Sequence, residues 1–374
     1  MTDRDRVPAE VFPPGEFLRD ELEARGWSQT EFAEIIGREP RLVNEIILAK
    51  RAVTPETAIA LGAALGTSAQ LWLNLESAYQ LSKAIPRHAD RIAREAAIRG
   101  RFPVREMMKR GWIPQSKNTV EIERSILSFF EIASVNDNIQ FEHAARMTHG
   151  DDLSQLQLAW LFRVRQLAKA LQVPTYSEAK LRKAMFSLEL LMTEPEEIRR
   201  IPQILAEAGV RLVIVEPIPG SRIDGVCFWV NNNESPVIGL SLKGDQIDKF
   251  WFNLWHELEH VLRGDGKDAL MVDDFEAPAS EAECEKAANA SAANYCVPVR
   301  EMNDFVNRLN PMFSEKSLIG FSRLVERHPG IVAGQLQKRV SRWDLFKKHQ
   351  VKIRHIIIQT ALTDGYGRSA PTEL

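Results

Sequence analysis

Cysteine is scarce in this chain: Cys227, Cys284 and Cys296 are the only three in 374 residues, and no two form a CxxC pair. That spacing gives neither a disulfide framework nor a cysteine zinc site, so the three read as small buried hydrophobes in a reducing compartment. No apolar run approaches the length of a membrane span, and no membrane partner is expected. The start, Met1-Thr2-Asp3-Arg4-Asp5-Arg6, is charged and lacks a following apolar core, so no secretion signal is read there and the expected location is cytoplasmic. Charge of one sign is lacking too. A net charge of −3 excludes wholesale coating of nucleic acid, although it leaves local basic patches open. With 44% hydrophobic and 26% charged residues, the composition is that of a globular protein, and the length suits two or three domains.

What is present is more specific. His256-Glu257-Leu258-Glu259-His260 spells HExxH within an apolar-periodic stretch that reads as helix. Residues four apart share a helix face, so both imidazoles can reach one ion, and Glu257 between them can act as general base toward a water on that ion. Without further support, the same five residues describe a surface helix that happens to carry two histidines.

From Gly15 to about Gln80 the chain reads as five short helices. Gly26 ends the first, and Ser28 with Glu31 forms a capping box at the head of the second. Pro40 opens the third, Thr54-Pro55 the fourth and Ser68 the fifth. A helix, a Gly-containing turn and a second helix is the helix-turn-helix unit. Gln29, Arg38, Arg41, Asn44, Lys50 and Arg51 stand on or beside it and are of the types that reach phosphates and base edges. Glu39 and Glu45 flank the same helix and would repel phosphate, as suits a bundle used only for protein contacts. Ser28-Gln29-Thr30-Glu31-Phe32-Ala33, Lys50 through Ala58, and Leu65-Gly66-Thr67-Ser68 with Trp72-Leu73-Asn74-Leu75 resemble the HigA-type antitoxins of the lambda-repressor-like family. The resemblance implies operator DNA as a partner and, as for most such modules, a homodimer.

Between Lys83 and Arg110 nine Lys or Arg face three acids, which reads either as added phosphate contacts or, more simply, as the solvated face of a linking helix. The stretch from Glu121 to Ile201 is helical in pattern and carries no evident chemistry; His143, His149, Asp151 and Asp152 read as surface or loop residues. After Gly209 the period changes. Strands are expected at 210–215, 226–230 and 236–242, followed at once by the HExxH helix.

A catalytic zinc needs three protein ligands and one open position. Eight acids between Asp265 and Glu285 compete for the third place. Glu285-Lys286-Ala287-Ala288-Asn289-Ala290-Ser291-Ala292-Ala293, with Pro298 after it, resembles the ligand helix of the ImmA/IrrE zinc metallopeptidases. The resemblance implies His256, His260 and Glu285 as zinc ligands, Glu257 as the catalytic base, and Asn289 as a residue orienting the site. It extends to Phe102-Pro103-Val104-Arg105-Glu106-Met107, Phe250-Trp251-Phe252 and Pro329-Gly330-Ile331-Val332, which look like the subgroup fused to a HigA-type module. The chain departs from the family at Glu259, where Gly is usual, and at Ser291, where an aromatic is usual; Tyr295-Cys296-Val297 replaces an aliphatic run. Altered packing behind the ligand helix is therefore expected. For the oxyanion, His328 and Tyr295 are considered, a structural role being the simpler expectation for each.

The resulting expectation is a mainly helical α+β protein. A HigA-like DNA-binding domain occupies 1–82, a basic linker and helical region 83–200, a zincin-like metallopeptidase domain 201–310, and a helical extension with a possible terminal strand 311–374. Its substrate would be a regulatory protein such as a helix-turn-helix repressor. The alternative is a non-catalytic antitoxin or repressor whose peptidase-like domain grips a toxin or ligand.

Overall fold

Helix ends in the N-terminal region are set by local chemistry, and the computed structural model shows each of them. It describes residues 11–84, 89–139, 141, 153–267, 271–273, 283–368 and 370; of 89, 90, 271 and 273 only the backbone is described. His143, His149, Asp151 and Asp152 lie outside the described residues. The first five helices are α1 (Pro14–Arg25), α2 (Gln29–Ile35), α3 (Pro40–Ile47), α4 (Pro55–Leu65) and α5 (Ala69–Lys83). Ser28 Oγ accepts from Glu31 N–H, and the Glu31 carboxylate accepts from Ser28 N–H at 2.7 Å, closing the capping box. Thr54 and Ser68 cap α4 and α5 without a box, their hydroxyls accepting from Thr57 and Leu71 N–H, each such cap stabilising by about 1 kcal/mol. Gly26 and Gly66 stop α1 and α4 at φ 68° and 71°, a conformation that favours glycine. Leu18, Phe32, Leu61 and Trp72 form the centre of this bundle's core. At Gly15 a Cβ would collide with the Ile46 carbonyl, so α1 and α3 approach backbone to backbone.

The chain divides into two compact units, one running to Ala93 and the other from Arg94, with the boundary inside α6 (Ala89–Arg101). The second unit continues with α7 (Val104–Lys109), α8 (Thr119–Phe130), α9 (Gln155–Ala170), α10 (Glu178–Glu189) and α11 (Ile201–Glu207). Then come β1 (Arg211–Val215), β2 (Gly225–Val230), β3 (Ser235–Leu240), α12 (Ile247–Arg263), β4 (Met271–Asp273) and α13 (Glu283–Cys296). Last are α14 (Val299–Leu309), α15 (Glu315–Leu324), α16 (Pro329–Val340), α17 (Arg354–Ile357) and β5 (Leu362–Asp364). The separations expected at 200/201 and 310/311 both fall within this one unit.

The five strands form one mixed sheet in the order β4-β2-β3-β1-β5. β1 runs parallel to β3 and β5, whereas β2 is antiparallel to β3 and β4. The three central strands are the ones read from the sequence, each shifted by a residue or two. β5 realises the possible terminal strand, while β4 was not expected. Leu212, Ile214, Ile238 and Leu240 face the core shared with α12, and Val213, Val215, Val226 and Val237 face the core shared with α9. Coverage on both faces explains why β1 and β2 are continuous apolar runs rather than alternating ones. α9 lies close because β3 carries Gly239, where a Cβ would stand 2.7 Å from Val164 Cγ1.

Most of the basic stretch that has a described partner turns inward or pairs. Arg101 donates to the Val135 and Asp137 carbonyls, Arg110 donates to those of Glu216 and Pro217, and Arg94 and Arg99 pair with Glu123 and Glu95. These cations stitch loops to helices, so phosphate contact is not their visible role.

Candidate functional site

α12 owes its buried course to a wide apolar face: Phe250, Trp251, Leu254, Trp255, Leu258 and Val261 are all buried. Gly264 ends it at φ 73°, its N–H returning to the last carbonyls. α13 packs along it in the opposite sense, with Glu285 level with His256 and His260, Ser291 level with Glu259, and Tyr295 stacked on Trp255 at 4.4 Å between ring centres.

This packing brings together the two histidines of HExxH and the first-turn glutamate of α13. The Nε2 atoms of His256 and His260 lie 3.0 Å apart. Glu285 presents Oε2 to His256 Nε2 and Oε1 to His260 Nε2, both at 3.3 Å. His256, Glu257 and His260 have no exposed surface, and Glu285 is 3% exposed. Among the described residues this trio is the one cluster of three or more ligating side chains whose donor atoms converge, all within 4.8 Å.

The donors also have the right polarity. Asp265 Oδ2 stands 2.9 Å from His260 Nδ1, and since a carboxylate only accepts, Nδ1 carries the proton and Nε2 turns its lone pair to the cluster. Burial works to raise the Glu285 carboxyl, but the two imidazoles beside it outweigh burial and lower it on balance, so it stands as an anion. Two imidazole nitrogens and one carboxylate oxygen aimed at a single point form a donor set that fits zinc and leaves a fourth position open.

Glu257 faces the sheet. A Cβ at Gly225, the first residue of β2, would collide with its carboxylate, so the missing side chain there makes the room that Glu257 occupies. Neither Gly225 nor Asp265 stood out in the sequence: one was a strand-flanking glycine, the other one of eight acids. Asn289 lies half-buried one turn beyond Glu285, and among the described residues the hydrogen bond to a ring of the cluster from outside it is that of Asp265.

The two departures at Glu259 and Ser291 prove to be one feature. Ser291 Oγ donates to Glu259 Oε2 at 2.8 Å across α12 and α13. The added charge has found a partner at the position where an aromatic is missing. His328 caps α16, its Nδ1 accepting from Gly330 N–H at 3.0 Å, and Tyr295 stacks on Trp255.

In the N-terminal unit Gln29, Arg38, Arg41, Asn44, Lys50 and Arg51 are all exposed. Gln29 begins α2, Arg41 and Asn44 lie on α3, and the others occupy the flanking turns. Glu45 is held by Arg41 at 2.8 Å and by Arg51 at 3.3 Å, and these bonds lower its pKa. Of the two acids that would repel phosphate, Glu45 is thereby neutralised, and the same contacts occupy two of the six residues.

No helix among the described residues is long and apolar enough to cross a membrane. Family models match the chain twice: a helix-turn-helix at residues 18–72 and an IrrE N-terminal-like domain of the peptidase type at residues 206–327. The N-terminal part is 37% identical over 71 residues to the HTH-type transcriptional regulator YddM of Escherichia coli K12, covering 19% of this chain and 76% of that protein. It is 40% identical over 82 residues to virulence-associated protein I of Dichelobacter nodosus, covering 22% and 74%. A solved structure, Pseudomonas aeruginosa antitoxin HigA with higBA promoter, is similar at 36% identity, covering 22% of this chain and 91% of that one with a TM-score of 0.21. With these two matches in this order, the chain carries an N-terminal helix-turn-helix domain of the family that includes those regulators, followed by an IrrE N-terminal-like domain of the ImmA/IrrE peptidase type.

Proposed function

We propose that this protein is a DNA-binding, zinc-dependent endopeptidase that cleaves a regulatory protein of the repressor type. The observation that carries the reading is the convergence of His256, His260 and Glu285 within 4.8 Å, beside the buried Glu257 and inside the peptidase-family span. In it, His256 and His260 through Nε2 and Glu285 through its carboxylate hold the metal, and Asp265 fixes the His260 ring. A zinc ion bound there would acidify a water and polarise a peptide carbonyl. Glu257 takes the proton from the attacking water and returns it to the departing amide nitrogen. Burial of all four side chains keeps bulk water from competing. Gln29, Arg38, Arg41, Asn44, Lys50 and Arg51 engage operator DNA, two copies of the chain reading two half-sites.

The test uses the full chain. Stoichiometric zinc in the wild type, lost in His260→Ala, together with cleavage of a helix-turn-helix repressor that disappears in Glu257→Gln, is the expected result. Equal cleavage by wild type and Glu257→Gln overturns it. A second reading, a non-catalytic regulator that grips a toxin or ligand, is favoured by the complete burial of Glu257. It predicts zinc without cleavage, and regulation unchanged in Glu257→Gln.

A further inference from the structure

A groove of about 270 Å³ opens on the second unit, lined by Ala293 of α13, Val297 just past its end, Val299 and Met302 of α14, and Gln335 and Lys338 of α16. Its position follows from helix register. α12 and α16 lie side by side in the same sense: a Cβ at Gly334 would collide with the Asp248 carboxylate, and one turn on Lys338 Nζ stands 4.6 Å from the Phe252 ring centre. The next turn of α12 brings His256, whose ring centre is 6.3 Å from that of Phe252. α13 runs the other way, so Asn289, Ala293 and Val297 follow Glu285 along one stripe. Both stripes therefore leave the His256–His260–Glu285 cluster in the same direction: the α12 stripe comes level with Lys338 one turn from His256, and the α13 stripe reaches Ala293 after about 12 Å of helix, eight residues at 1.5 Å each. An extended peptide covers that distance in three to four residues.

The groove is apolar in its walls and cationic at its rim. Met302 and Val297 are buried beneath it, and Val299 leaves an exposed apolar edge. Lys338 and Arg339 stand together in the last turn of α16. Arg339 is steadied by Asn303 at 2.7 Å, but among the described residues neither cation has a carboxylate within ion-pair distance. Arg163 and Arg327, two buried cations of the same unit, are by contrast paired with Asp364 and Glu189. Two uncompensated cations beside a vacant apolar wall call for an anion attached to a hydrophobe.

We infer that this groove is a specificity pocket of the peptidase site: it takes an apolar side chain of the substrate polypeptide, three to four residues from the cleaved bond, with an adjacent Asp or Glu held by Lys338 and Arg339. The inference rests on the peptidase reading above and adds the sequence class of substrate that the site selects.

Fluorescence anisotropy on the full chain carrying Glu257→Gln, so that bound peptide stays whole, reads it directly. The probes are three labelled peptides of equal length centred on Leu-Asp-Glu, Leu-Lys-Lys or Ala-Asp-Glu. The Leu-Asp-Glu peptide is expected to bind about tenfold tighter than either other. Adding K338E and R339E inverts the order of the acidic and basic peptides, and Ala293→Phe, which fills the groove, removes the advantage of Leu over Ala. Retained zinc and an unchanged circular dichroism spectrum certify that these variants fold. Three peptides bound alike, or an order indifferent to charge reversal, overturns the proposal. So does a charge-reversed variant that changes only its oligomeric state, since that gives the groove to a second copy. Selection of Leu-Asp-Glu by a protein that cuts nothing when Glu257 is restored sinks the peptidase reading alone; cutting without selection sinks the pocket alone.

Discussion

In the helix-turn-helix unit all six residues singled out for DNA lie in water, and Glu45 beside them is already paired to two of them, Arg41 and Arg51. In the peptidase unit the metal-site donors are 0–3% exposed, and each needs a partner on another element before it is tolerable at all. The difference is one of desolvation. A surface charge carries little penalty and little constraint, so its position can be read from helix phase and caps. A buried histidine or carboxylate must be held by neighbours, and those neighbours define the site.

The comparison breaks most sharply at Glu257. Glu257→Gln is expected to lower repressor cleavage by roughly 10²- to 10⁴-fold while operator binding, followed by gel shift, stays at the wild-type level. Loss of both functions together would mean that the two units do not work independently. Removing a support rather than a donor comes next. Asp265→Ala frees the His260 ring, and zinc affinity measured by competition with a chelator should fall about 10- to 100-fold; an unchanged affinity would make Asp265 a bystander. The Glu259–Ser291 bond is smaller. A double-mutant cycle with Glu259→Gln and Ser291→Ala, scored by urea denaturation, should return a coupling of about 1 kcal/mol, and strict additivity would deny the pairing.

Two smaller effects sharpen the contrast. Glu45→Gln releases Arg41 and Arg51 on the exposed side, so operator affinity should rise about three- to fivefold with a steeper salt dependence. A fall in affinity would show that Glu45 positions those arginines instead of competing for them. On the buried side, loss of solvent, and then the nearby His349, push the His328 pKa below its ordinary 6.5, which favours the neutral ring that accepts from Gly330. Below about pH 6.5 the unfolded chain takes up a proton that the folded chain refuses. Stability from this group is thus present above 6.5 and lost as pH falls through the lower folded value. His328→Asn keeps a cap and removes the titration, so its stability should change less between pH 7.5 and 5.5 than that of the wild type. Parallel curves would remove His328 from the acid response.

Phe32 and Ala33 behind the Ser28 box, and the strand runs at 211–215 and 225–230, were legible because the information is local: caps, left-handed glycines and period. The covering of the sheet on both faces was foreshadowed by the unbroken apolar runs. β4 was missed because three residues carry no period, and β5 was read only as a possibility because its partner β1 lies about 150 residues away. Glu285 came from a family-like pattern; spacing alone left it level with seven other acids. Asp265 was among those acids, but its role follows from the turn at Gly264 that swings it back toward His260.

By itself the sequence determined that His256 and His260 share a helix face with Glu257 between them, and that six polar or basic residues stand around a helix-turn-helix, since both follow from helical phase and capping within a few residues. The tertiary structure decided what those residues amount to. It closed the donor set by laying α13 against α12, cleared a place for Glu257 at Gly225, married Glu259 to Ser291, and brought Arg51 from the turn beyond α3 back to Glu45. Each of those outcomes depends on a distance between side chains rather than on a pattern along the chain. Burial made most of them obligatory, because a polar group withdrawn from water must find its partner inside the protein.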